Sequence, residues 1–243
     1  MNEPDRLFRT RPPTGPFVFD SDVARVFPDM IRRSVPGYAL MLEGTAVAAA
    51  TYCRDHTTAW DLGCSLGAST LAIDRGAGQR EIRIVAVDRS PAMVERARTW
   101  LDDAGVSRRV ALRVGDVRDV QPRNASLIVL NLVLQFVPVA ERLPLLRRLR
   151  AGLVPGGALV LTEKIAPSPA DAAHLRNWHA SFKQLQGYSE LEISRKRTAL
   201  ERVLVPESLE THHNRLLAAG FARPVLWMQA FEFVSWMAEA HER

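Results

Sequence analysis

The sequence predicts a doubly wound α/β domain with a mainly parallel sheet, and three observations carry that prediction. From residue 58 onward, short strand-like runs alternate with helical stretches, the rhythm of βαβ units around a buried sheet. The 243 residues are enough for one such domain with helical additions. The composition, 47% hydrophobic and 24% charged, is that of a globular chain and excludes a disordered one.

Taken in order, the first sixteen residues are expected to be a loose, proline-bearing arm. Met1 to Pro13 alternates charges and prolines and has no apolar stretch, so it is not a secretory signal. Asp20 or Ser21 caps a helix with apolar positions at Val23, Val26, Phe27, Met30 and Ile31. Pro36-Gly37 stops it and puts Tyr38 at or just after a turn, and a second helical stretch runs from Leu40 to Cys53. Strands are expected over Thr58 to Cys64, Ile82 to Asp88, Val110 to Gly115, Ser126 to Asn131 and Ala158 to Thr162. Helices are expected over Ala68 to Arg75, Pro91 to Ala104 and Ala140 to Leu153, with Arg118 to Asn124 an irregular connection. Pro155-Gly156-Gly157 reads as a turn before the fifth strand. After Lys164, helices near 169–187, 189–204 and 206–219 precede two strand-like runs, Pro224 to Gln229 and Phe231 to Trp236. The expectation is one catalytic domain over 1–243, with an arm and helical lid at 1–55 and a helical insertion at 165–220.

Several function classes are set aside by composition. The most apolar run, Ala125 to Val139, is broken by Asn131 and Gln135 and falls short of the ~20 residues of a membrane span. Cys53 and Cys64 form no C-x-x-C pair and the six histidines show no ligand spacing, so neither a disulfide framework nor a metal is expected. A cytoplasmic protein is the economical expectation. The net charge of +5 would suit an anionic substrate, or RNA, or nothing in particular. Arg142, Arg147, Arg148 and Arg150 lie in an amphipathic helix and read as its solvated face.

The chemistry concentrates at strand ends. In Trp60-Asp61-Leu62-Gly63-Cys64-Ser65-Leu66-Gly67 a strand ends on an acidic residue, and small residues recur at 63, 65 and 67 before a helix. Such a turn lets a ligand approach the backbone closely, at the crevice where these sheets bind nucleotides. Asp88 ends the second strand 21 residues after Gly67, the place from which a carboxylate grips ribose hydroxyls. Gly115-Asp116-Val117 follows the third strand, where a carboxylate can accept from an adenine amino group, and Asn131 ends the fourth. Singly, each is ordinary turn or cap chemistry; together they make a binding edge. The spacing is G-x-S-x-G and not the G-x-G-x-x-G of a dinucleotide turn, which favours an adenosyl sulfonium with no pyrophosphate over NAD. The same five residues match the nucleophile elbow of α/β-hydrolases, with Ser65 as nucleophile. Only helical segments precede it, however, and no late histidine is well placed as the base beyond His212 or His213.

Longer blocks carry a more specific resemblance. Val26-Phe27-Pro28-Asp29-Met30-Ile31, Ser34-Val35-Pro36-Gly37-Tyr38, Asp61 to Gly67 and Ser90-Pro91-Ala92-Met93 are among them. So are Asn131 with Leu134-Gln135-Phe136, Pro155 to Leu161, Gly187-Tyr188-Ser189-Glu190-Leu191-Glu192-Ile193-Ser194 and Lys196-Arg197. In these the chain closely resembles the carboxy-S-adenosyl-L-methionine synthases of bacterial tRNA wobble-uridine modification. The resemblance implies a Rossmann-like class I methyltransferase fold, cytoplasmic homodimers, and a transfer of carboxyl from prephenate to the sulfonium methyl of S-adenosylmethionine, releasing phenylpyruvate. It further implies no metal, no membrane, no direct nucleic-acid binding, and a product passed to a tRNA carboxymethyltransferase. Aromatisation of the donor supplies driving force, and the sulfonium acidifies its methyl protons so that carbon dioxide can be captured in a closed, dry site.

Carried over by position, ligand contacts fall on Tyr38, Gly63, Cys64, Ser65, Asp88, Arg89, Asp116, Val117, Asn131 and Arg197. Arg89 stands where relatives commonly have asparagine, which puts any side-chain contact there in doubt. Arg197 is the residue expected to meet the substrate or product carboxylate. Apart from the resemblance, Ser189 and Glu192 form a capping box, and Ile193, Arg197, Leu200 and Leu204 then share one helix face. An arginine on that stripe either meets an anion or snorkels at its edge. An ordinary methyltransferase acting on a small molecule or tRNA, or a non-catalytic S-adenosylmethionine-binding partner of a tRNA-modifying enzyme, would use the same adenosyl pocket.

Overall fold

Alternating apolar residues sort the strand side chains onto two faces of one sheet. Ala59, Ile84, Leu127, Val129 and Val160 pack on one side with Ile73 and Ala49, while Trp60, Val85, Ile128, Leu130 and Leu159 pack on the other with Leu145 and Leu216. The computed structural model describes residues 3–10, 15–201 and 203–240. Its central strands are β1 (Thr58–Leu62), β2 (Arg83–Asp88), β3 (Val110–Val114), β4 (Ala125–Asn131) and β5 (Leu153–Lys164), followed by β6 (Phe221–Ala230) and β7 (Phe233–Ala240). They pair in the order β3-β2-β1-β4-β5-β7-β6, the first five parallel and β7 antiparallel to both neighbours.

Before the sheet come α1 (Leu7–Thr10), α2 (Ser21–Ser34) and α3 (Tyr38–Tyr52). Between strands lie α4 (Ala68–Ala77), α5 (Pro91–Asp103) and α6 (Val139–Gly152), and after β5 come α7 (Ala172–Leu185), α8 (Glu190–Leu200) and α9 (Leu209–Ala218). Caps explain several starts: Asp20, Ser90, Ser189 and Ser208 each accept a backbone N–H from the first turn, and Ser189 with Glu192 completes the capping box. Helices α3 and α4 pack together on one sheet face, and α6 and α9 on the other.

Four expectations change. Pro155-Gly156-Gly157 does not precede the fifth strand but lies inside β5, where the pairing with β4 slips register between Ala125 and Leu127 and Gly156 takes a φ of 67°. Helix α3 begins at Tyr38 and not at Leu40, directly after the expected turn, which Gly37 supplies at φ 77°. The arm is docked where it is described: it forms α1, and Asp5 and Phe17 are buried (residues 1–2 and 11–14 lie outside the described residues). Arg142 is no solvated residue; it is wholly buried, donating to the Val137 and Val205 carbonyls and pairing with Glu207. Its long side chain meets backbone acceptors that an apolar residue would leave unsatisfied.

Candidate active site

The strand order reverses between β1 and β4, and a cavity of about 700 Å³ opens at the carboxyl ends of the parallel strands. Every ligand contact that the resemblance implied lines it: Tyr38, Gly63, Cys64, Ser65, Asp88, Arg89, Asp116, Val117, Asn131 and Arg197. The turn after β1 is held from below, since Gly63 and Cys64 both donate to the Val87 carbonyl, at 2.7 and 3.0 Å. Gly63 has φ 79°, and a Cβ there would overlap the Val133 side chain, so glycine is required on both counts. Ser65, at φ 48°, donates its backbone N–H to Asp88 Oδ2 at 2.9 Å, while Asp88 Oδ1 accepts from Ser90 at 2.9 Å.

Two carboxyl groups thus lie buried behind this turn, neither in an ion pair among the described residues, with Arg89 acting on Asp88 only through its field. Burial pushes Asp88 above the usual carboxylate range, against the two backbone donors. Asp61, 1% exposed, is pushed up to about 7 by burial, opposed by the Thr70 hydroxyl at 2.6 Å and reinforced by the charge of Asp88. The same burial and the negative charge of Asp61 raise Tyr38 to about 12. Asn131 donates its Nδ2 to Ser69 at 2.9 Å and Thr45 at 3.2 Å, and its buried Oδ1 has no partner among the described residues. A cavity wall bearing the Asp88 carboxyl and an orphaned amide oxygen, with Asp61 buried behind it, fits a ligand that brings positive charge and N–H or O–H donors. Asp116 is differently placed: its carboxylate accepts from the Arg118 guanidinium at 2.8 Å, which holds it below the usual range.

Positive charge enters from the later helices. Lys164 at the end of β5, Lys183 on α7, and Lys196 and Arg197 on α8 line the same cavity. Of these only Arg197 was singled out in the sequence. Lys164 ends a strand, the rule that picked out Asn131, and could have been found by it. Arg197 is exposed, and Ile193, Leu200 and Leu204 line the cavity with it, although α8 ends at Leu200. The buried cation on α8 is its neighbour Lys196, which donates to Ser34 Oγ at 2.8 Å and lies 3.7 Å from Asp5. His212, the conceivable hydrolase base, is buried against Trp236 and does not line the cavity around Ser65.

Comparison with known proteins decides the family. A carboxy-S-adenosyl-L-methionine synthase from Geobacter metallireducens is 49% identical over 224 residues, covering 91% of this chain and 92% of its own. Another so named, from Pseudomonas fluorescens, is 48% identical over 97% of this chain and 98% of its own. The chain belongs to the carboxy-S-adenosyl-L-methionine synthase family. Residues 59–157 of this synthase-family chain also match the general methyltransferase domain. A solved S-adenosylmethionine-dependent methyltransferase from Methanococcus maripaludis, 21% identical, superposes with a TM-score of 0.62 over 95% of this chain and 98% of its own. Human N-acetylserotonin methyltransferase with S-adenosylmethionine does so at 0.60, with 14% identity, over 91% of this chain and 55% of its own. The fold is accordingly that of a Rossmann-like class I methyltransferase, and the chain is an S-adenosylmethionine-dependent enzyme. No helix among the described residues is long and apolar enough to cross a membrane.

Proposed function

We propose that this enzyme moves a carboxyl group from prephenate to the methyl carbon of S-adenosylmethionine, releasing phenylpyruvate, and that the product serves tRNA wobble-uridine modification in the cytoplasm. The observation that carries the reading is the pairing, in one cavity, of an adenosyl-type strand edge with a wall of cations, Lys164, Lys183 and Arg197. A methyl transfer needs only the first. A dianionic carboxyl donor needs the second as well. The names borne by the relatives support the same chemistry.

In this reading Gly63, Cys64 and Ser65 present backbone to the ligand, Asp88 grips the ribose hydroxyls, and Arg89 contributes through its backbone. Asp116 and Val117 meet the adenine, with the Asp116 carboxylate shared with Arg118. Tyr38 and Asn131 face the methionine end, where the orphaned Asn131 oxygen accepts from the ligand. When bound, S-adenosylmethionine supplies a sulfonium-activated methyl carbon that takes up carbon dioxide. The donor loses carbon dioxide and hydroxide as its ring aromatises; the hydroxide takes the methyl proton and leaves as water, so charge and atoms balance without a protein base. Arg197 holds the carboxylate being moved. Residues 1–55 act as arm and lid and 165–220 as an insertion over the donor, within one catalytic domain of a homodimer.

The test is incubation with S-adenosylmethionine and prephenate, followed by mass spectrometry. Phenylpyruvate together with a sulfonium heavier by one carboxyl group supports the proposal. A methylated acceptor would point to an ordinary methyltransferase, and no turnover to a binding partner; either refutes it.

A further inference from the structure

One group of charges in the cavity has no role in the adenosyl site: Lys164, Lys183 and the pair His179–Glu232. The hydrogen bonds of His179 settle the charge of that pair. Its Nε2 lies 2.8 Å from the Ser34 carbonyl oxygen and its Nδ1 lies 2.8 Å from Glu232 Oε1. A carbonyl only accepts, so Nε2 carries a proton. Nδ1 and Oε1 therefore need a second proton between them, because two lone pairs at that distance repel. Burial draws His179 downward, while Glu232, which burial alone would raise, is held low by its bond to His179. The Ser34 carbonyl decides between these tendencies: whichever atom holds the second proton, the pair as a whole is neutral.

That leaves the lysines uncompensated. Lys164 Nζ reaches Glu232 Oε1 at 3.4 Å, but the charge of that carboxyl is already met by His179. The Lys183 side chain has no ion pair or hydrogen bond among the described residues. Burial, then the fields of Lys196 and Lys164, draw it down to about 7, with Glu232 opposing and Arg197 adding to the effect. Lys196, by contrast, is matched by Ser34 and Asp5. Two unmatched ammonium groups on different elements, β5 and α7, in one partly apolar cavity call for an anion.

We propose that Lys164 and Lys183 bind the carboxylate that the donor keeps, so that a dicarboxylate is held between them and Arg197. The division of labour rests on the proposed reaction, which assigns Arg197 to the carboxylate that moves. The retained group is then the α-keto carboxylate of the donor and of the released product.

The test separates binding from chemistry by saturating the enzyme with S-adenosylhomocysteine, which has no methyl to react. Prephenate and phenylpyruvate are each titrated calorimetrically into the wild type and into Lys183→Met, Lys164→Met, Lys183→Arg and Arg197→Ala. Lys183→Met and Lys164→Met should weaken both ligands by about tenfold or more, the loss expected on removing one partner of a charge pair. Lys183→Arg should restore most of that affinity. Arg197→Ala should weaken prephenate and spare phenylpyruvate, which lacks the second carboxylate. Affinity for S-adenosylhomocysteine should stay within about twofold throughout, showing that the variants fold. Prephenate and phenylpyruvate affinities unchanged in both lysine-to-methionine variants overturn the assignment and leave the proposed reaction standing. Binding lost in those variants, in an enzyme that forms no carboxylated sulfonium, would uphold the lysine site and remove the reaction. A wild type that binds neither ligand removes both.

Discussion

Asparagine in place of Asp61 is expected to stabilise the ligand-free protein at about pH 8 and to leave it nearly unchanged at about pH 4. The magnitude follows from the burial of this carboxyl at the end of β1. Burial, helped by the charge of Asp88 and opposed by the Thr70 hydroxyl, moves it from 3.8 to about 7. A shift of about three units is on the order of 4 kcal/mol. The sign follows from linkage: a folded-state value above the unfolded one gives stability that is full below about pH 4 and is lost as pH rises through about 7. Asparagine has no proton to lose, and its Oδ1 still accepts from Thr70, which donates to Asp61 Oδ2 at 2.6 Å. For a chain of this size the gain corresponds to roughly 10 °C in melting temperature. Thermal melts of both ligand-free proteins across pH supply the comparison. Melting curves that run parallel across the whole range, or a variant that is less stable at high pH, would show that Asp61 is stably ionised as folded. A cationic ligand beside Asp61 and Asp88 offsets the same penalty. Adenosyl sulfonium affinity should therefore rise with pH through about 7 in the wild type and stay flatter in the variant.

Other substitutions test other parts of the site. Asp88→Ala should weaken S-adenosylmethionine by about 1.5–3 kcal/mol, the worth of hydrogen bonds to a charged group, and unchanged affinity by calorimetry would remove Asp88 from the ribose contact. Arg197→Ala should weaken carboxy-S-adenosyl-L-methionine by a similar ~1.5–3 kcal/mol, below the cost at a buried pair because this arginine is exposed. Unmodified S-adenosylmethionine should change much less; equal losses would mean that Arg197 supports the pocket generally. Arg142→Ala should cost about 3–5 kcal/mol in denaturant unfolding, because it opens a cavity, takes the donor from the Val137 and Val205 carbonyls and leaves Glu207 with Arg215 alone, and a loss under about 1 kcal/mol would contradict the burial argument.

The sheet was legible because its signal is local. Strand runs alternate apolar residues, and the turn after β1 demands small residues whatever the rest of the chain does. The residues at strand ends follow from that sheet, so Asp88, Asp116 and Asn131 are placed at one edge by the sequence alone. The helical insertion was legible only in outline. Helix α8 carries Lys196 and Arg197 side by side, and which of them is buried depends on how α8 docks against α2, a tertiary matter. Arg142 misleads for the same reason: nothing in its own helix marks it as the residue that meets the Val137 and Val205 carbonyls, which come from segments 5 and 63 residues away. The His179–Glu232 pair spans 53 residues, and a distance of that kind leaves no periodic trace.

The docking of α8 links the arm to the chemistry. Asp5 donates its backbone N–H to Asp29 on α2 at 2.7 Å, while its carboxylate accepts from the Tyr188 hydroxyl at 2.5 Å and lies 3.7 Å from Lys196 on α8. Arg33 closes the loop by donating to the Asp5 carbonyl at 3.2 Å and to Asp29 at 2.9 Å, and Phe17 donates its backbone N–H to the Ala199 carbonyl at 3.1 Å. The arm, α2 and α8 are therefore bound to one another by directional bonds, which fix the rotation of α8 as well as its position. That rotation commits Lys196 to the arm and leaves Arg197 at the cavity. Successive helix positions differ by about 100°, so a one-residue slip could put Lys196 at the cavity position that Arg197 holds. On the proposed reaction this matters doubly. Carbon dioxide must be captured before it escapes, which needs a closed roof, and the carboxylate must arrive at one fixed cation, which needs a roof that cannot rotate. An apolar seam alone would leave that rotation free; the directional bonds of the Asp5 network fix it.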